Sequence, residues 1–193
     1  MGSRPGLRLV SLLAAIPISI AGAVLWSRMA SSDPAADAVL GQPGEYLEPG
    51  VSTNPPLPTD HLPSVELLAA DGSPVQLSSD GRPMVVNLWY STCPPCAREL
   101  VEFAAVHDQL GEAVRFVGVD PYDSVDEMQA FAEARDVNYE LLRDPQGELA
   151  DAVGVVAYPV TLFVNRDGFV LERAGPLDGD ELRQRIAEYW AVG

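Results

Sequence analysis

The sequence predicts an α/β domain in which helices cover both faces of a mixed β-sheet. Between residues 61 and 193, short apolar runs typical of strands alternate with segments of helical periodicity. The runs at 84–89 and 114–119 are nearly continuous, as expected of strands that are buried on both faces of a sheet. A hairpin pattern near the C-terminus adds antiparallel strands, so the sheet should be mixed rather than wholly parallel.

The first predicted elements of this domain are a hairpin, a central strand and a helix. Residues 65–68 and 75–77 flank Asp71-Gly72, a dipeptide typical of a tight turn between antiparallel strands. The apolar run 84–89 (MVVNLW) follows as the central strand. A helix with an apolar stripe on one side should start just after the two cysteines of the chain.

The second half of the domain continues the alternation of strands and helices. Residues 114–119 (VRFVGV) predict another buried strand. Ser124 should cap the next helix, which runs to about Arg135, because Glu127 completes a capping box with it. The remaining predicted elements are a short helix at 147–153, a hairpin of strands 160–164 and 169–173, and a final helix from Asp178.

The N-terminal segment has the pattern of a membrane anchor. Residues 9–26 are an eighteen-residue run without a charged side chain. At about 1.5 Å per residue, such a helix is just long enough to span a bilayer core. Arg4 and Arg8 favour a cytoplasmic tail at 1–8 and an extracytoplasmic remainder, which makes the chain a single-pass protein of the cell membrane. A cleaved signal peptide has the same charged start and apolar middle and is the alternative.

Residues 27–60 differ in composition from the segments on either side. They are rich in Pro, Gly, Ala, Ser and acidic residues, and they show no sustained period of two or 3.6. Such a stretch cannot bury enough apolar area to order itself, so it predicts a flexible linker. The folded domain should then comprise residues 61–193.

Charge and composition exclude several function classes. The chain carries a net charge of −16, with twelve Arg and no Lys, which argues against a nucleic-acid partner because that binding depends on cations that neutralise phosphates. The absence of Lys also excludes Schiff-base chemistry and the phosphate-binding P-loop. His61 and His107 share no metal-ligand spacing with each other or with the cysteines, so no metal and no separate cofactor are expected.

The strongest motif is Cys93-Pro94-Pro95-Cys96, where a predicted strand ends and a helix begins. Two intervening residues bring the sulfurs within bonding reach, and unpaired N–H groups at a helix N-terminus stabilise a thiolate there. Cys93 is therefore the expected nucleophile and Cys96, one turn further into the helix, the resolving thiol. The prolines fit the first helical positions, where a missing N–H costs nothing. An inert structural disulfide is the alternative.

The wider sequence resembles the thioredoxin superfamily, specifically its TlpA/ResA/CcmG-type disulfide reductases. The resemblance covers residues 62–190 and depends on the segments DGSPVQL, GRPMVVNLWYSTCPPCAREL and LLRDPQGELADAVGVVAYPVTLFVNRDG, together with the closing helix. It implies a thioredoxin-like fold with an N-terminal β-hairpin extension. It also implies an extracytoplasmic enzyme that reduces disulfides in partner proteins, as in apocytochrome c maturation, and that receives electrons from a membrane dithiol donor.

The same resemblance implies which residues contact the substrate. Pro159 matches the cis-proline that faces the dithiol in this superfamily, and its backbone and that of Tyr158 should pair with an extended substrate segment. Thr92 stands where many relatives have Trp, which removes a large apolar surface from the rim of the site. The full set of expected substrate-binding residues is Tyr158, Pro159, Trp89, Pro94 and Pro95.

Glu99 is the third expected catalytic residue. By resemblance it matches an acid found in the TlpA/ResA group, whereas on spacing alone it would be an ordinary solvated helix residue. Residues three apart share a helix face, so its carboxyl group can lie beside Cys96 and take the proton that this thiol must lose. Asn87, which stands where thioredoxin has a buried Asp, cannot accept that proton.

Other functions are compatible with parts of this pattern. A disulfide donor would use the same dithiol, but the acidic domain, Glu99 and the lack of a nearby Lys or His disfavour a stabilised thiolate and hence a strong oxidant. A peroxidase is disfavoured because Tyr90 stands where the usual peroxidatic Thr would be. A non-catalytic binding or chaperone module with the same fold is the remaining alternative.

Overall fold

The computed structural model describes residues 54, 57 and 60–192. Within these residues the chain forms a seven-stranded sheet and four helices. The strands are β1 (Glu66–Ala69), β2 (Pro74–Gln76), β3 (Met84–Leu88), β4 (Arg115–Asp120), β5 (Glu140–Arg143), β6 (Val160–Val164) and β7 (Val170–Ala174). The helices are α1 (Pro94–Leu110), α2 (Val125–Glu133), α3 (Glu148–Ala152) and α4 (Gly179–Trp190).

The sheet is mixed, and the strand order is β2-β1-β5-β4-β3-β6-β7. Strands β3, β4 and β5 are parallel, whereas β6 and β7 extend the sheet antiparallel on one side. On the other side β1 pairs antiparallel with β2, across the turn where the sequence pattern indicates a hairpin. Strand β1 also pairs antiparallel with β5. The predicted α/β class with a mixed sheet is confirmed.

Strand β5 is the element that the sequence pattern did not predict. It has only four residues, Glu140–Arg143, and only Leu142 among them is fully buried. So short a segment has neither a continuous apolar run nor a clear alternation. Its strand conformation depends on pairing with β4 on one side and β1 on the other.

Each face of the sheet has its own apolar core. On one face α1, α2 and α4 pack on the sheet through Phe103, Met128 and Leu182, which are completely buried. On the other face the short helix α3 contributes Leu149 to a cluster that includes Leu67 of β1. Helices therefore lie on both faces, as the sequence predicts, with three on one face and one on the other.

Local signals fix the starts of two helices. The Ser124 side chain accepts the N–H of Glu127 at 3.3 Å, and the Glu127 carboxylate accepts the Ser124 N–H at 2.9 Å. Asp178 and Glu181 make the same reciprocal pair at the start of α4. The predicted N-cap at Ser124 and the predicted start of the last helix at Asp178 are confirmed, and such boxes satisfy N–H groups that a helix leaves unpaired.

The predicted anchor at 9–26 and most of the predicted linker at 27–60 lie outside the described residues. In residues 54, 57 and 60–192, no helix is long and apolar enough to cross a membrane. Asn54, near the end of the predicted linker, accepts the N–H of Ala157 at 2.8 Å and donates to the carbonyl of the same residue at 2.9 Å. Asn54 is therefore hydrogen-bonded to the segment that precedes β6.

Candidate active site around Cys93 and Cys96

Cys93 and Cys96 form a disulfide at the junction of β3 and α1. Cys93 is the N-cap of α1, and its sulfur accepts the N–H of Cys96 at 3.3 Å. Pro94 and Pro95 occupy the first two helical positions, where no N–H is needed. A turn from Tyr90, whose carbonyl accepts the Cys93 N–H at 3.2 Å, leads the chain from the strand into the helix.

Both cysteines are largely shielded from solvent. Cys93 is 2% exposed and Cys96 is 0% exposed, although Thr92 and Pro94 on either side of Cys93 are exposed. The exposed residues next to the disulfide therefore lie on the Cys93 side. The slightly greater exposure of Cys93 agrees with its predicted role as the attacking thiol and with that of Cys96 as the resolving thiol. Both roles stay predictions.

The Tyr158–Pro159 peptide bond is cis and lies directly before β6. Val160, the next residue, pairs with Leu88 at the end of β3, so this loop is anchored beside the strand that leads to the cysteines. Pro159 is buried, whereas Tyr158 is half-buried and packs against the core cluster that contains both cysteines. The expected pairing of this loop with a substrate stays a prediction.

Trp89 lies beneath the site rather than on its rim. Its side chain is 0% exposed and stacks on Phe131 of the segment after β4, with ring centroids 5.5 Å apart. A substrate on the surface does not touch it, so the expectation of direct substrate contact does not match this placement. The run 84–89 is buried throughout because both faces of β3 are covered: Val85 and Trp89 lie in one core, and Met84, Val86 and Leu88 lie in the other.

Glu99 is buried on the same face of α1 as Cys96, with only 2% of its surface exposed. One carboxylate oxygen accepts the Leu177 N–H at 2.9 Å, and the other accepts from the Asn87 side-chain amide at 2.9 Å. The Asn87 amide also donates to the Thr161 hydroxyl at 3.0 Å. The expectation from spacing alone, a solvated residue, is therefore wrong, and the resemblance placed Glu99 better.

Burial raises the pKa of Glu99 from 4.5 to about 8, against the opposing effect of the hydrogen bonds from Leu177 and Asn87. The carboxyl group is consequently mostly protonated at neutral pH. Its charge also contributes, after burial, to raising the pKa of Tyr139, whose phenol is buried on the same side of the sheet. A proton-exchanging group thus lies inside the core that holds the disulfide.

Two further acids, Asp120 and Asp123, hold the loop that carries Cys93. Asp123 accepts both the backbone N–H and, at 2.8 Å, the hydroxyl of Ser91, two residues before Cys93. The buried Asp120 carboxylate accepts the N–H groups of Tyr122 and Asp123 at 2.9 and 3.0 Å. Burial, and then hydrogen bonding to Asp123, raise the pKa of Asp120 to about 7. Burial acts to raise the pKa of Asp123, but hydrogen bonds from Asp120 and Ser91 outweigh it and hold that pKa below its usual value.

Two further features near the dithiol come from residues distant in sequence. Tyr90, Tyr122 and Tyr158 contact one another edge-on, and their ring centroids are 5.2 to 5.7 Å apart. Arg135 donates to the carbonyl of Ala97 at 3.1 Å, and its guanidinium lies 3.5 Å from the centre of the Phe131 ring. Two cations therefore reach the start of α1: Arg135, from a distant segment, and Arg98, two residues after Cys96, which donates to the carbonyl of Pro94 at 3.3 Å.

Comparison with known proteins supports the fold and the chemistry of this site. The model of the AhpC/TSA family matches residues 58–173, which is more than half of the chain. The chain belongs to the AhpC/TSA family. This assignment and the dithiol together agree with the predicted class of thiol–disulfide oxidoreductases.

The chain is also similar to individual curated proteins and to a solved structure. The chain is 25% identical to sporulation thiol-disulfide oxidoreductase A of Bacillus subtilis, over 66% of this chain and 81% of that protein. It is 31% identical to the soluble secreted antigen MPT53 of Mycobacterium tuberculosis, over 61% of this chain and 66% of that protein. The structure of a secreted Mycobacterium tuberculosis disulfide oxidoreductase, described as homologous to DsbE of Escherichia coli, superposes with a TM-score of 0.57 and 29% identity. That match covers 65% of this chain and 96% of the other.

These matches confirm the predicted resemblance to ResA-like oxidoreductases and the thioredoxin-like fold. Cys96 and Glu99 are both buried residues of α1, and the catalytic role of Glu99 stays a prediction. The sequence pattern did not indicate Thr161 and Leu177 as partners around Glu99, or Ser91 and Asp123 beside Cys93. Within residues 54, 57 and 60–192, no three His, Cys, Asp or Glu side chains are grouped so as to hold a metal ion.

The raised pKa of Glu99 predicts a pH-dependent stability of the oxidised protein. The folded state keeps a proton up to about pH 8 that the unfolded chain loses near pH 4.5, so stability should fall as pH rises from 5 to 8. At 1.36 kcal/mol per tenfold change, the loss is on the order of 3 to 5 kcal/mol. The Glu99→Gln variant should lose this part of the fall and keep only the part that Asp120 contributes, when urea unfolding is followed across the same pH range.

A matched control for this measurement is Glu102→Gln, which changes an exposed acid on the same helix. It should retain the pH dependence of the parent. Asp120 titrates in the same range in all three proteins, so the difference between parent and Glu99→Gln isolates Glu99. Parallel curves for these two proteins between pH 5 and 8 would contradict a buried, protonated Glu99.

Proposed function

We propose that this chain is an extracytoplasmic protein disulfide reductase that uses Cys93 and Cys96 as its working dithiol. The observation that supports this most directly is the placement of Glu99, a buried carboxyl group with a pKa of about 8, on the same helix face as Cys96. A purely structural disulfide needs no titratable group in the core beside it. Burying a carboxyl group costs free energy, which favours a functional reason for its presence.

In the first step, the Cys93 thiolate attacks one sulfur of the partner's disulfide. A mixed disulfide forms, and the other partner sulfur leaves as a thiolate that takes a proton from solvent. The N-terminus of α1 favours this attack, because the Cys96 N–H already points at the Cys93 sulfur. The exposed positions of Thr92 and Pro94 leave this side of the disulfide open to a partner chain.

In the second step, the Cys96 thiol loses its proton and attacks the Cys93 sulfur of the mixed disulfide. The Cys93–Cys96 bond forms, the second partner sulfur is released, and two electrons have moved from the dithiol to the partner. Because Cys96 is 0% exposed, its proton needs an acceptor inside the protein. An ordinary thiol has a pKa of about 8.5, so a carboxylate with a pKa near 8 is well matched to accept it.

Charge favours the reducing direction. An oxidant is strong when its reduced form has a stabilised thiolate. Here the cysteines are buried, the ionised Asp123 carboxylate is bonded to Ser91 two residues before Cys93, and the chain carries a net charge of −16. All three disfavour an additional negative charge on sulfur, so the dithiol should give up its electrons readily.

The substrate, donor and location follow from the resemblance to TlpA/ResA/CcmG-type reductases. Apocytochrome c, whose cysteine pair must be reduced, is the proposed substrate class. A membrane protein with its own dithiol would restore the reduced form of Cys93 and Cys96. The apolar run at 9–26 would keep the domain at the outer side of the membrane, where protein disulfides form.

A disulfide donor is the second candidate function. It is favoured by Arg135, whose guanidinium is bonded to the carbonyl of Ala97, and by the N–H of Cys96 at the Cys93 sulfur. Both place positive electrostatic potential near the start of α1 and stabilise a thiolate. The two candidates share residues and differ in the direction of electron flow.

The proposed roles of the two cysteines predict different behaviour of their Ser variants. The reduced full-length chain should reduce insulin disulfides, and Cys93→Ser should abolish this activity. Cys96→Ser should instead accumulate mixed disulfides through Cys93, visible as slower bands on non-reducing gels. Trapping through Cys96 in the Cys93→Ser variant would reverse the assignment, and insulin reduction without Cys93 would refute it.

The proposed role of Glu99 predicts a change in the pH profile of the reductase. In the parent, the rate of resolution should rise with pH up to about 8, because only the ionised carboxylate accepts the proton of Cys96. Glu99→Gln should resolve at least 10-fold more slowly, with no inflection near pH 8, and Glu102→Gln should match the parent. Stopped-flow measurement of mixed-disulfide decay tests this, and an unchanged profile in Glu99→Gln would exclude the mechanism.

A further inference from the structure

Three tyrosines from separate segments meet beside the dithiol. Tyr90 lies three residues before Cys93, Tyr158 directly precedes the cis-proline, and Tyr122 lies in the loop after β4. Their ring centroids are 5.2 Å (Tyr90–Tyr122), 5.3 Å (Tyr90–Tyr158) and 5.7 Å (Tyr122–Tyr158) apart. All three pairs are edge-on, with interplanar angles of 67° to 82°, so ring faces remain available for contact. We call these three residues the tyrosine triangle.

The tyrosine triangle is both open to solvent and held in place. Tyr122 is 66% exposed, whereas Tyr90 and Tyr158 are half-buried and pack against the core that contains the cysteines. The N–H groups of Tyr122 and Asp123 are bonded to the buried Asp120. Asp123 is in turn bonded to Ser91 next to Tyr90, so the positions of the rings are fixed relative to Cys93. A preorganised aromatic surface loses little entropy on binding.

Carboxylates surround the tyrosine triangle. Burial, the hydrogen bond with Tyr122, and the charges of Asp144 and Asp151 raise the pKa of Tyr158 well above its usual value. Asp123 adds a carboxylate with a lowered pKa in the loop of Tyr122. Arg143 also reaches this loop, where its Nε donates to the carbonyl of Asp123 at 3.0 Å. The described interactions around the three rings thus involve three acids, Asp123, Asp144 and Asp151, and one cation, Arg143, which favours a negative electrostatic potential there.

We propose that the tyrosine triangle binds a cationic side chain, Arg or Lys, of the partner segment that carries the target disulfide. The negative faces of the rings and the nearby carboxylates both attract a cation, and a guanidinium can lie flat against an exposed ring. The triangle adjoins Cys93, so this contact would select partners in which the basic residue lies close to the reactive cysteine. The inference rests on the proposed reductase activity and specifies its substrate class.

Charge complementarity decides between this occupant and an apolar one. An apolar side chain would gain from contact with the rings but nothing from Asp123, Asp144 and Asp151. A cation gains from both, and a cation–π contact at a partly exposed site corresponds to roughly 3-fold to 30-fold in affinity. A partner that presents an acid to the same place should be disfavoured.

Four disulfide-bridged peptides test this inference. They share one sequence and differ only in the residue before the reactive cysteine, which is Arg, citrulline, Phe or Glu. Citrulline keeps the size and planarity of Arg without its charge. We expect the reduced full-length chain to reduce the Arg peptide with a kcat/KM about 3- to 30-fold higher than the citrulline peptide, and the Glu peptide most slowly. The Arg advantage should shrink as ionic strength rises.

Variants locate this preference on the tyrosine triangle. Tyr122→Leu, which keeps apolar bulk but has no ring, should reduce the ratio of Arg to citrulline rates to about one. Tyr122→Phe keeps the ring and should keep most of that ratio. Leu171→Ala, which truncates an exposed side chain on the edge strand β7, should match the parent with every peptide. Thermal melting of each oxidised variant checks that the fold is retained.

The outcomes separate the inference from the function on which it rests. Equal rates for Arg and citrulline peptides, a preference for Phe over Arg, or an Arg preference that persists in Tyr122→Leu would overturn the tyrosine site while leaving the reductase intact. Failure of the parent to reduce any of the four peptides would overturn the proposed reductase function, and the substrate inference with it.

Discussion

The burial of one carboxyl group, Glu99, is the constraint on which the rest of the site depends. An acid in an apolar core is tolerable only if its oxygens have hydrogen-bond partners and if it can become neutral. The protein supplies partners from three places: Asn87 on β3, Thr161 on β6 through Asn87, and the Leu177 N–H before α4. The carboxyl group therefore ties α1, which carries Cys96, to the sheet and to the last helix. The same burial that costs stability gives Glu99 a pKa in the range of a thiol.

The loop before α1 is fixed by a different arrangement of acids. Asp123 holds Ser91 by two hydrogen bonds, and Asp120 holds the backbone of the Asp123 loop. Asp120 ends β4, Asp123 follows it, and Ser91 follows β3; because the two strands are parallel, these residues lie at the same edge of the sheet. Ligand sites of open α/β sheets lie at this edge for the same reason. The site thus has a buried acid on its inner side and a ring of acids and tyrosines on its outer side.

The sequence predicts well those features that depend on neighbouring residues. The C-P-P-C junction and the capping boxes at Ser124 and Asp178 are each complete within four residues, so their geometry follows from local chemistry. Strand β5 was missed because its conformation comes from pairing with β1 and β4 rather than from its own pattern. The burial of Glu99 could not be predicted from its neighbours either. Leu177, which donates to Glu99, and Thr161, which accepts from Asn87, both lie far along the chain. The meeting of Tyr90, Tyr122 and Tyr158 is likewise a product of the strand order.

In the proposed function, the Cys93–Cys96 pair is a reductant whose thiolates are disfavoured by burial and by the nearby Asp123 carboxylate. The most direct test is the reduction potential of this pair, measured by equilibrating the full-length chain with thiol–disulfide buffers and quantifying the oxidised fraction. We expect a potential below about −230 mV, close to that of thioredoxin at about −270 mV. A potential above about −180 mV, toward that of DsbA at about −120 mV, would show that the reduced form is stabilised and would contradict the proposed direction of electron flow.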